Sequence, residues 1–183
     1  MVGRVKIVTD STADIPSELV QKYNITVVPL KVVMGNETFQ DGVTLTPEAF
    51  YNKLDLLNDL PATSQPTPYE FETVYQRIKA KSDEDLTILS IHLSSEMSGT
   101  VQSATLAAQT VEEEVMVEVV DSKKASYAIG IIVVEIAKMA EEGADYSECK
   151  AKLDALLNHT TVYFLVDTLE FLQKMEELAK RLP

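Results

Sequence analysis

Residues 86–100, LTILSIHLSSEMSGT, constrain the fold more than any other stretch. They open with a near-continuous apolar run, 86–93, short enough for one strand. Such a run suits a strand covered on both faces, as in a parallel sheet. It breaks into Ser94, Ser95, Ser98, Gly99 and Thr100, then continues into an alanine-rich segment, 101–111, that reads as a helix. A strand, a hydroxyl-rich turn and a helix gather hydroxyls and backbone N–H groups around one point. The helix N-terminus adds unpaired donors and partial positive charge, which suits an anion. The same pattern also suits an ordinary capped connection.

The pattern recurs along the chain. Residues 5–9 (VKIVT) read as a strand, followed by Asp10, Ser11, Thr12 and Asp14 and a helix entered through Pro16. Residues 25–34 read as a second strand region interrupted by Pro29, with Gly35-Asn36 turning into a short hairpin return over 37–41. Thr46 caps a helix to about residue 57. Three prolines in 60–68 (LPATSQPTP) break regular structure there, leaving Thr63, Ser64 and Gln65 on a stiff loop. A capping box, Thr67 with Glu70, opens a helix to about residue 81. A buried-type strand over 115–120 ends at Asp121-Ser122, and a strongly apolar helix follows over 125–142. A second capping box, Asp145 with Glu148, opens a helix to about residue 157. A strand over 162–166 ends at Asp167-Thr168, and an amphipathic helix over 169–182 closes the chain. Alternating strands and helices predict an α/β fold with a mostly parallel open sheet and helices on both faces. Ligands in such folds sit beyond the C-terminal ends of the strands, and four of those ends are rich in Ser, Thr and Asp.

Charge narrows the function. Among 183 residues the formal net charge is −13, which argues against nucleic-acid binding and against docking on anionic membranes. The single cysteine, Cys149, excludes an intramolecular disulfide and fits a cytoplasmic location. The N-terminus lacks the apolar segment of a signal peptide, and no apolar run is long enough to span a bilayer. Metal-ligand spacings and phosphate-cradle motifs are absent, although Asp10, Asp121 and Asp167 end strands and offer carboxylates to magnesium. Ser95 sits where a nucleophile could, with His92 or His159 as base. The surrounding G-x-S-x-G pattern is missing. His92 also lies about 6.6 Å along the strand from Ser94, too far for a direct hydrogen bond unless the chain bends. The remaining chemistry is anion binding by hydroxyls and amides within apolar surroundings, which suits an amphiphile with one acidic end. A serine hydrolase and a phosphotransferase-type accessory protein are the competing classes, and a folded lobe without retained binding is a third.

Five segments carry a family resemblance: TDSTADIP (9–16), DGVTLTPEAFY (41–51), TSQPTP (63–68), LSSEMSGT (93–100) and VDTLEFLQK (166–174). In this order, across nearly the whole chain, they resemble the DegV family. The resemblance implies a two-lobed α/β protein that binds a long-chain fatty acid and presents its carboxyl group to a separate fatty-acid kinase, with no catalysis and no cofactor of its own. It implies that Thr63 and Ser95 hold the carboxylate, with Ser94 the alternative to Ser95. Ser11, Met97, Ser98 and Gly99 are candidates for the pocket lining. Residues 1–158 correspond to an N-terminal lobe, and 159–183 to the start of a second lobe. There the family's glycine-rich continuation is replaced by MEELAKRLP. That departure predicts weak fatty-acid binding by this chain and self-association through the face a second lobe would cover.

Overall fold

The structure is a computed structural model and describes residues 4–54, 56–57, 60–82, 85–163 and 165. Four strands form a parallel sheet: β1 (Arg4–Asp10), β2 (Thr26–Val28), β6 (Leu86–His92) and β7 (Met116–Asp121), in the order β2-β1-β6-β7. A smaller antiparallel sheet has the order β4-β3-β5, from β3 (Lys31–Met34), β4 (Glu37–Gln40) and β5 (Ala62–Ser64). The helices are α1 (Ser17–Lys22), α2 (Pro47–Leu54), α3 (Pro68–Lys79), α4 (Thr100–Thr110), α5 (Tyr127–Glu141) and α6 (Tyr146–His159).

Period-two alternation on β6 builds two cores. Leu89, Ile91 and Leu93 pack with Ile129, Ile132, Val133 and Ile136 of α5 and with Cys149 and Leu153 of α6. Leu86 and Ile88 point the other way, to Phe71 and Tyr75 of α3 and to Ala104 and Ala107 of α4. Each face therefore needs its own helix pair, and the doubly covered strand read from 86–93 is the result. Both capping boxes form. Glu70 N–H donates to the Thr67 hydroxyl and Thr67 N–H to the Glu70 carboxylate, with the same exchange between Asp145 and Glu148.

The structure departs from the sequence reading at two places. Thr63 lies on a strand, not a loop: Val32 pairs with Thr63 and Lys31 with Ser64. Pro61 and Pro66 flank β5 without entering it, and β5 pairs on one side only, where a proline costs no ladder bond. The expected strand over 162–166 is not formed at residues 162, 163 and 165. Its other positions and the helix over 169–182 lie outside the described residues.

One close approach fixes α5 on the sheet edge. A β-carbon on Gly130 would collide with the Ala13 carbonyl oxygen and sit 2.8 Å from the Tyr127 ring. Gly130→Ala is expected to cost about 1–3 kcal/mol, because the obstruction is backbone and cannot swing aside. A thermal melt checks this, and an unchanged midpoint would mean that the turn yields freely.

Candidate functional site

The switch point of the parallel sheet lies between β1 and β6, where strand order reverses. A buried polar chain closes it. Asp10 ends β1, and its Oδ2 accepts from His92 Nδ1 at 2.9 Å and from the Leu93 amide at 3.1 Å. Its Oδ1 accepts from the Thr12 amide at 3.1 Å and the Thr12 hydroxyl at 2.5 Å. His92 Nε2 meets Ser90 Oγ at 2.7 Å, and Ser90 Oγ meets the Tyr75 hydroxyl at 2.8 Å. Asp10, Ser90, His92 and Tyr75 are all fully buried. Burial works to raise the Asp10 carboxyl, but the bonds from His92, Thr12 and Leu93 outweigh it and hold it below the usual carboxylate value.

An Asp–His–Ser series suggests a hydrolase only on paper. Ser90 is sealed from solvent, and both nitrogens of His92 are occupied within the core. His159 Nδ1 lies 2.6 Å from the carbonyl oxygen of Ala155 on its own helix. Ser95 meets neither histidine: its hydroxyl donates to Asp121 Oδ2 at 2.6 Å. Among the described residues no group of three or more His, Cys, Asp or Glu side chains is placed to hold a metal. Asp10 and Asp121 are instead committed to the bonds above, and Asp167 lies outside the described residues.

The turn after β6 is knitted to the loop after β7. Ser94 N–H donates to the Lys124 carbonyl and Ser122 N–H to the His92 carbonyl. Asp121 accepts from the Ser95 amide at 3.2 Å as well as from its hydroxyl, and from the Lys123 amide at 2.9 Å. Burial works to raise the Asp121 carboxyl, and the Ser95 and Lys123 interactions lower it by more. Glu96 N–H donates to Ser94 Oγ, Met97 and Ser98 N–H to the Ser94 carbonyl, and Thr100 N–H to Ser98 Oγ. The amides from Ser94 to Ser98 are thus spent within the turn and on the loop after β7.

The motif residues are placed as follows. Thr63 is exposed on β5, and its hydroxyl has no partner among the described residues. Ser94 is buried, and Ser95 is exposed. Ser98 Oγ lies 2.9 Å from Thr100 Oγ1. Gly99 caps the N-terminus of α4 under the Gln65 side chain, whose Nε2 lies 2.6 Å from where a β-carbon would be. That contact brings the TSQ segment against the SGT turn. Ser11 Oγ accepts from the Leu30 amide at 3.0 Å, just ahead of β3. Because β3 pairs with β5, the turn after β1, the TSQ strand and the turn after β6 are linked in one ring. A mostly apolar cleft of about 650 Å³ begins at Asp10 and Ser11 and runs along Ile15, Val20, Val27 and Pro29 to Val43. Ser11 lines it; Thr63, Ser94, Ser95, Met97, Ser98 and Gly99 do not. Met97 is 65% exposed. Gln65 has no role in the sequence reading, and Asp121 is read there only as a carboxylate for magnesium, not as the partner of Ser95. The fold reveals both: Gln65 lies against Gly99, and Asp121 against Ser95.

The model of the DegV family, described as an uncharacterised protein family, matches residues 4–175. The chain belongs to the DegV family. A DegV domain-containing protein of Clostridium perfringens is 32% identical over 179 residues, covering 98% of this chain and 63% of the relative. One from Streptomyces coelicolor is 37% identical, covering 95% and 60%. The crystal structure of DegV from Bacillus subtilis, described as a fatty acid binding protein, has a TM-score of 0.87 at 33% identity, covering 97% of this chain and 62% of that one. A DegV family protein from Thermus thermophilus, described by its fatty acid binding, has a TM-score of 0.83 at 38% identity, covering 93% and 59%. The chain spans about three fifths of the length of these DegV relatives. No helix among the described residues is long and apolar enough to cross a membrane.

Proposed function

We propose that this DegV chain holds the carboxylate end of a long-chain fatty acid and acts as a carrier, not a catalyst. In this reading a separate fatty-acid kinase receives the exposed acyl carboxyl and converts it to an acyl phosphate. Residues 1–158 form the lobe that grips the headgroup, and 159–183 lead toward a second lobe. The observation that carries the reading is the ring of contacts joining the Ser11 turn, the TSQ strand and the SSEMSGT turn at the switch-point edge. It leaves Thr63 with an uncommitted hydroxyl, and an apolar cleft opens from the same edge. The fatty-acid-binding descriptions of the Bacillus and Thermus proteins support it further. Thr63 and Ser95, with Ser94 beside them, supply the hydroxyls, and Ser98 and Gly99 shape the turn around them.

A carboxylate held by hydroxyls loses about 1.5–3 kcal/mol when one charged hydrogen bond is removed. Thr63→Ala should therefore weaken binding of a fluorescent fatty acid roughly 10- to 150-fold. Its stability should change by less than about 1 kcal/mol, because the site is an exposed edge-strand position. Equilibrium titration and a thermal melt measure the two effects. Unchanged affinity would remove Thr63 from the site. Each buried methylene adds about 0.8 kcal/mol, so one lobe that covers one side of the acyl chain binds weakly and associates with itself. Analytical ultracentrifugation with the same titration tests this; tight binding by a monomer would refute it.

A further inference from the structure

We propose that Asp121 is a specificity-determining residue of the headgroup site: its carboxylate occupies the donors of Ser95 and so weakens the hold on an anionic headgroup. The proposal rests on the carboxylate-binding reading above and concerns how that site discriminates.

Ser95 has two donors, its amide and its hydroxyl, and both point at Asp121, at 3.2 and 2.6 Å. The Lys123 amide adds a third bond to the same carboxylate at 2.9 Å. An ionised carboxylate accepts only, so the Ser95 proton lies on the Asp121 side. What Ser95 Oγ offers an incoming ligand is lone pairs. A fatty-acid carboxylate meeting them is repelled twice, by the oxygen and by the Asp121 charge on the far side of one hydroxyl. To be gripped by Ser95 it must draw the proton away from Asp121. A neutral headgroup of similar size faces no such contest, since an alcohol can donate to Ser95 Oγ. The seat is thus filled, before any ligand arrives, by an acid belonging to the protein. The arrangement suits a carrier, which has to let its cargo go.

Asp121→Asn separates this role from shaping the loop. Asparagine keeps an acceptor oxygen for the Ser95 and Lys123 amides but removes the charge, and its amide leaves the Ser95 proton free to turn toward a ligand. Asp121→Ser is the second neutral variant and keeps a short acceptor for the turn. The 183-residue chain and both variants are titrated with a fluorescent long-chain fatty acid, with the acid and the alcohol of equal chain length as competitors. Melting temperatures are recorded in parallel. The expected result is about tenfold tighter binding of the acid by whichever neutral variant folds, and alcohol binding within about twofold of the unmodified chain. Added Ser95→Ala should abolish the gain. Equal or weaker acid binding by the folded variants, or an equal gain for the alcohol, overturns the proposal while leaving the fatty-acid reading in place. Absence of acid binding by every protein, the unmodified chain included, overturns both.

Discussion

Asp10→Ala should lower the stability of this chain by about 3–5 kcal/mol, the cost of taking a buried carboxylate away from the donors that surround it. Four donors converge on that carboxylate: His92 Nδ1, the Leu93 amide, and the amide and hydroxyl of Thr12. Alanine leaves all four facing a space without an acceptor. His92 and Leu93 are buried, so water cannot replace the carboxylate without opening the switch point between β1 and β6. For a chain of this size each kcal/mol corresponds to about 2–4 °C in the melting midpoint, so a fall of roughly 6–20 °C is expected by circular dichroism. A loss under about 1 kcal/mol would show that the polar chain is incidental. The same carboxylate predicts an acid limb. Its folded-state pKa lies below the usual value of 3.8, so its stabilisation is complete above that value and fades as pH falls through the lowered one. Urea unfolding between pH 6 and pH 2 should show this loss in the unmodified chain and a flatter profile in Asp10→Asn.

Phe71→Ala should destabilise the chain by a similar amount, about 3–5 kcal/mol. The Phe71 ring is fully buried, stands edge-on to the His92 ring at 5.0 Å and lies 6.0 Å from the Tyr75 ring. It is the apolar wall of the polar chain as well as a member of the α3–α4 core. Truncation opens a cavity against His92 and admits water to bonds that burial now protects. Two measurements follow: a lower urea midpoint, and faster amide exchange at Leu93, whose N–H donates to Asp10. Phe71→Leu, which fills most of the volume, should lose less on both. Equal losses for alanine and leucine would point to ring-specific contact instead of volume.

Much of this was legible in the sequence because it is local. A capping box is a four-residue statement, and both of them, Thr67 with Glu70 and Asp145 with Glu148, formed as read. The apolar run of β6 announced a strand covered on both faces. What escaped was long-range. Ser90 and His92 stand two apart on β6 and so share a face, a signal that was present, but their partners Asp10 and Tyr75 are fixed only by strand order and by α3. Three prolines crowd the window of Thr63, and locally they predict a loop. The strand β5 fits between two of them, and only β3 across the gap makes it a strand. The Ser95–Asp121 bonds depend on β6 and β7 being neighbours, which no spacing within the chain encodes.

The turn after β6 satisfies its own amides from Ser94 to Ser98 and is bolted to the loop after β7. Those bonds leave none of the amides from Ser94 to Ser98 waiting for a ligand. Loading would swap one hydroxyl proton between two acids and leave the backbone where it was. Under the proposed carrier reading, a receiving enzyme could not tell a loaded chain from an empty one by its posture at this turn. It would have to touch the cargo itself, and the information that a molecule is aboard would travel in the acyl headgroup alone.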